Sequence, residues 1–102
     1  MENEKRKLIA ITRNGLKAQV AHKTLSYSSY GTLIDRWAVF VDFLVAREYS
    51  LNIDSIDRET VIKFGKSLNN ATPAYAQNLV SAVNTVMTVV HVGAWRSVSP
   101  TR

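Results

Sequence analysis

The sequence predicts an all-α fold. Apolar residues recur at spacings of three and four, Ser, Asp and Thr stand where helices would begin, and no segment alternates convincingly enough to be a strand. Turn signals divide the chain into four helical segments.

The first runs from about Leu8 to His22, with Asn14-Gly15 marking an interruption, because Gly costs a helix about 1 kcal/mol. The second begins in the Ser-rich stretch "LSYSSYGT", whose hydroxyls can cap a first turn, and continues through "LIDRWAVFVDFLVARE" to about Tyr49. Leu33, Trp37, Phe40, Val41 and Leu44 form its stripe, and Val39 and Phe43 widen it, so this helix is expected at the centre of the core. The third follows the turn "SLNIDSI", where Ile53 and Ile56 can tuck under the bundle. Asp57 is its expected N-cap, and Val61, Ile62, Phe64, Gly65 and Leu68 its expected buried side, ending near Asn69. The fourth opens with Thr72 as N-cap and Pro73 at the first helical position, where the missing N–H costs nothing. Gly93 is its expected C-cap. The remainder, "AWRSVSPTR", reads as a polar exit segment.

At 102 residues the chain is long enough for one self-supporting core, and 46% apolar content supports it. Zero cysteines exclude disulfides, thiolate metal sites and thiol nucleophiles, and fit an intracellular protein. No signal peptide and no membrane span are expected. The net charge is +5 with a pI near 9.8, which favours a polyanionic partner. Most of it lies in residues 1–25, where Lys5, Arg6, Lys7, Arg13, Lys17 and Lys23 face only Glu2 and Glu4.

Catalytic patterns are missing. His22 and His91 stand without a second ligand at i+3 or i+4, and the four glycines, at 15, 31, 65 and 93, form no phosphate-cradling loop. Asp35 and Asp42 share a helical face, and Asp54, Asp57 and Glu59 surround a turn; solvated or capping carboxylates describe them better than an acid–base pair. No cofactor is expected, and a small enzyme is the weakest of the function classes.

The fourth segment has a more informative pattern. Leu79, Val80, Val83, Val86, Met87 and Val90 share an apolar stripe, while Gln77, Asn78, Ser81, Asn84, Thr85 and Thr88 lie opposite. No charged residue occurs between Lys66 and Arg96, although solvated helix faces usually carry Lys and Glu. That face meets water or another helix, or it enters a nucleic-acid groove. Gln and Asn can bond adenine bidentately, Ser and Thr can bond bases or phosphates, and neutral groups lose less on desolvation than unpaired charges. Lys17, Lys23, Arg36 and the run Lys5-Arg6-Lys7 would supply attraction to phosphate.

The stretches "SYSSYGTLIDRWAVFVDFL", "IDSIDRETVIKFGKSL" and "TPAYAQNLVSAVNTVMTVV", followed by "SP", resemble the core-binding, SAM-like N-terminal domain of tyrosine recombinases and phage integrases. The similarity covers about Thr24 to Pro100, roughly three quarters of the chain. It rests on the order and spacing of Ser29 through Leu44, Ile53 through Leu68 and Val80-Ser81-Ala82-Val83. The resemblance implies a four- to five-helix SAM-like bundle that forms half of a clamp around double-stranded DNA. Position by position, it implies contacts from Ser28, Ser29, Thr32 and Arg36 on the second helix and from Gln77, Asn78 and Ser81 on the fourth. Lys23 is the near match for a basic residue before the second helix; Leu33 replaces the family's usual Tyr.

The recombinase's Arg, His-x-x-Arg and nucleophilic Tyr belong to a second domain, and His91 here is followed by Val92-Gly93-Ala94. The resulting expectation is a basic tail at 1–7, a DNA-binding domain at 8–93 and an exit segment at 94–102 leading towards a catalytic domain. Alone, the chain would bind DNA and catalyse nothing. Its partners would be the duplex, that catalytic domain and other recombinase protomers, with no membrane, in the cytoplasm of a bacterial or phage-type system. The rival is a helical protein–protein interaction module whose fourth helix docks a partner helix.

Overall fold

A computed structural model describes residues 2–23, 25–91, 95, 96 and 98. Its elements, in order, are α1 (Glu2–Ala21), α2 (Tyr27–Ala46), a 3₁₀ turn (Ile53–Ser55), α3 (Arg58–Ser67) and α4 (Pro73–Val90). No strand occurs among the described residues, so the all-α class holds. α1 packs on α2 and α4, α2 on α4, and α3 on α4, which makes α4 the common neighbour.

Local chemistry sets the starts. Ser26 caps α2 by accepting from the Ser29 N–H at 3.1 Å, Asp57 caps α3 through the Thr60 N–H at 2.9 Å, and Thr72 caps α4 through the Tyr75 N–H at 3.2 Å. Asp57 also accepts from the Thr60 hydroxyl at 2.8 Å. These bonds to Thr60, backbone first and hydroxyl second, hold the Asp57 carboxyl below the usual carboxylate range, with a smaller contribution from Lys63.

The ends of α1 and α2 use left-handed residues where Gly is the common choice: Lys23 has φ 62° and Glu48 has φ 58°. At Glu48 the geometry is a Schellman motif, with Tyr49 N–H donating to Leu44 C=O and Glu48 N–H to Val45 C=O.

The core is built around Trp37, Phe40, Val41 and Leu44 of α2, with Leu8 and Leu16 from α1, Val61 and Phe64 from α3, and Leu79, Val83, Val86 and Met87 from α4. Ile53 and Ile56 close it from below. Phe40 meets Phe64 edge to face at 5.0 Å, a geometry that suits the aromatic quadrupoles, and Trp37 at 5.2 Å with the rings tilted by 49°. Ile62 departs from expectation: it is among the exposed large hydrophobics, because Val61 and Phe64, three residues apart, define the inward face of α3 and Ile62 lies about 100° round from Val61 on the side away from Phe64.

Three boundaries also differ. Asn14-Gly15 does not interrupt α1, which is continuous for 20 residues. A Cβ added to Gly15 would lie 2.6 Å from Val90 Cγ1, so the missing side chain lets α1 and α4 approach closely and offsets its cost to the helix. Residues 2–7, read as a tail, lie within α1, and Lys5 is tied to Asp42 of α2 by a 2.9 Å ion pair. Finally, α4 ends at Val90 with His91 as C-cap; Gly93 lies outside the described residues, as do Thr24 and Pro100.

The exit segment is docked, not free, where it is described. Trp95 packs on the core, and Val98 is buried within it. Asn84 of α4 donates to Val98 C=O at 2.7 Å and accepts from Val98 N–H at 2.9 Å and from the Trp95 indole at 3.2 Å. Arg58 of α3 adds a 3.1 Å bond to Arg96 C=O.

Candidate nucleic-acid interface

The uncharged face of α4 has two fates. Asn84 is buried and bonded to Trp95 and Val98 of the chain itself, so part of the face is neither solvated nor available to a ligand. The hydroxyls of Thr85 and Thr88 turn back onto the carbonyls of Ser81 and Asn84, at 3.1 and 2.8 Å. Gln77, Asn78 and Ser81, nearer the start of the helix, are exposed, and their side chains make no hydrogen bond to another side chain among the described residues. Their amide and hydroxyl groups remain able to donate and accept.

On α2, Ser28, Ser29, Thr32 and Arg36 come together with Leu25 and Leu33 around an open depression of about 360 Å³. The helix geometry explains the grouping: 28, 29, 32 and 36 follow i, i+1, i+4, i+8, one face of two turns. The Ser26 cap hydroxyl donates to Ser29 Oγ at 2.9 Å, which fixes that hydroxyl at the mouth of the helix. Thr32 donates to Ser28 C=O at 3.2 Å and keeps its lone pairs outward. None of the lining residues is acidic, and the first turn of α2 carries no carboxylate, so the positive end of the helix dipole is left uncompensated there.

Lys23 is exposed two residues beyond the end of α1, and it is not among the residues lining this depression. Its left-handed conformation does not mark it as functional, because Glu48 adopts the same conformation where it simply closes the Schellman motif at the end of α2. Nor do Gln77, Asn78 and Ser81 line the depression. The expected site residues thus fall into a compact α2 group, an exposed row on α4 and a separate Lys23.

Of the phosphate candidates, Lys5 is engaged with Asp42, whereas Arg6, Lys7 and Lys17 are exposed. Two exposed tyrosines not singled out by the sequence stand at the starts of the same helices: Tyr27, 76% exposed beside Ser28, and Tyr75, 48% exposed two residues before Gln77. Their position in the first turn, ahead of the apolar stripes, was the available signal.

Among the described residues, no group of three or more His, Cys, Asp or Glu could hold a metal ion, and no helix is long and apolar enough to cross a membrane. The sequence matches no protein-family model, no curated protein and no solved structure.

Proposed function

We propose that this chain is a duplex-DNA-binding domain of the tyrosine-recombinase core-binding kind. It contacts the groove through the first turns of α2 and the exposed polar row of α4. The observation that carries the reading is the α2 depression, lined by three hydroxyls from the first two turns and by the Arg36 side chain about one turn beyond Thr32, with no carboxylate in the lining or in the first turn of the helix. Hydroxyls and helix N-termini are common phosphate partners, and Arg36 adds the long-range attraction. Gln77, Asn78 and Ser81 supply neutral groups that tolerate burial against base edges.

In this reading the domain binds and does no chemistry; cleavage and rejoining belong to a catalytic domain of the parent recombinase, and other protomers complete the clamp. Its setting is the cytoplasm of a bacterial or phage-type system. A fluorescence anisotropy titration with a labelled generic duplex tests it. The expected affinity lies in the non-specific range of about 10⁻⁴ to 10⁻⁶ M and falls steeply with salt. No binding at low salt contradicts the reading.

The rival, a helical protein-interaction module, draws on exposed Tyr27, Tyr75 and Ile62. Aromatic residues are enriched in protein interfaces, and this reading requires binding or self-association that is insensitive to salt.

A further inference from the structure

Arg6, Arg13 and Lys17 lie on one line along the outer face of α1. At about 100° per residue they fall within roughly 40° of one another, and at 1.5 Å per residue they span about 16 Å of helix. With Ile9, Ala10 and Asn14 they border a shallow trough of about 400 Å³, whose middle is kept low by the small Ala10 side chain. All three cations are exposed, and none is paired with a carboxylate among the described residues. No acidic residue occurs anywhere between Glu4 and Asp35, so nothing on α1 beyond its first turn opposes them. The last turn of α1 has no basic residue, so this stripe does not serve to compensate the helix dipole.

A solvated helix face normally intersperses charges of both signs, with Glu and Lys paired at i, i+4. Here three like charges repel one another along a single line, an arrangement suited to an extended polyanion with regularly spaced charges. A phosphate backbone has that form, with one charge per 3.4 Å of axis on each strand. A lipid surface fits less well, because an interfacial helix needs a broad outward apolar face, and α1 turns Leu8 and Leu16 into the core, while its exposed Ile11 lies more than about 100° round the helix from the basic line.

We propose that the outer face of α1 is a second DNA contact, in which Arg6, Arg13 and Lys17 follow the phosphates of one strand. This rests on the DNA-binding reading above and adds a surface to it. It divides the labour: α1 supplies sequence-independent attraction, while α2 and α4 approach the groove.

The test measures duplex affinity against salt for the wild type, for R6Q/R13Q/K17Q and for the charge-preserving R6K/R13K, with helix content checked by circular dichroism. Gln is a good helix former, so the exposed substitutions should leave the fold intact. The expected result is a salt slope smaller by about 2 to 3 units in the triple variant and unchanged in R6K/R13K. A wild-type slope in the triple variant overturns the α1 contact while leaving DNA binding through α2 and α4 standing. Absence of duplex binding by the wild type at low salt overturns both. Sedimentation with phosphatidylserine vesicles that the triple variant loses, with its duplex slope unchanged, reassigns the stripe to a membrane surface and overturns the proposal.

Discussion

The side-chain amide of Asn84 and the backbone of Val98 exchange two hydrogen bonds, Nδ2 to C=O at 2.7 Å and N–H to Oδ1 at 2.9 Å. The amide thereby acts as a strand partner for the exit segment and satisfies groups that burial would otherwise leave unpaired. Asn84→Ala is expected to destabilise the domain by about 2 to 4 kcal/mol, since it orphans both backbone groups of Val98 and the Trp95 indole. Asn84→Asp keeps the acceptor but places an oxygen against the Val98 carbonyl. Urea unfolding and Trp fluorescence measure both variants; an unchanged midpoint in Asn84→Ala would show that the segment is not held there.

Gly15 of α1 packs so closely on Val90 of α4 that an added Cβ would lie 2.6 Å from Val90 Cγ1. Although Ala is the better helix former, Gly15→Ala is expected to lose about 1 to 3 kcal/mol from overpacking. Adding Val90→Ala should recover part of that loss, a coupling that a double-mutant cycle by urea denaturation reads directly.

These two contacts show what the sequence could and could not reveal. The caps Asp57 and Thr72 and the stripes of α2 and α4 were legible, because capping and helical periodicity are local. Gly15 was read as a break because its justification lies on Val90, 75 residues away. Asn84 sits about 100° from the adjacent Val83, at the edge of the apolar arc, and its burial depends on Val98 returning across it. Ser28, Ser29 and Thr32 follow from the family resemblance, with Arg36 also legible as a basic group, and their common helical face emerges from the structure; Lys5 reads as a phosphate ligand in the sequence, and the structure pairs it with Asp42.

Lys23 holds a left-handed conformation that Gly adopts without penalty. Lys23→Gly is expected to raise stability by about 0.5 to 1 kcal/mol. If Lys23 touches phosphate, the same variant binds duplex less tightly and its salt slope falls by about 1. Thermal unfolding and anisotropy together separate the two effects. Glu48→Gly provides the control, with the gain in stability and no loss in binding.

Asp57 links the α3 cap to pH. Its carboxyl is lowered in the folded chain by the Thr60 bonds, so its contribution is complete above the unfolded carboxylate range, near pH 4, and is lost as pH falls through the lower folded value. Asp57→Ala is expected to cost about 1 kcal/mol at pH 7, with the difference from wild type shrinking as the medium is acidified. Urea midpoints across pH 2 to 7, chosen to span about that range, check the sign; a gap that widens in acid would contradict it.

The central claim is that the α2 depression and the free part of the α4 polar row face DNA, and an NMR titration of the labelled domain with a short duplex, at low and at physiological salt, tests it most directly. The expected result is that the amides of Ser28 to Arg36 and Gln77 to Ser81 shift together, more strongly at low salt, while the buried Asn84 and Val98 stay in place. If the amides of both groups remain still at both salts, the claim is wrong, and a protein partner for α4 becomes the reading to pursue.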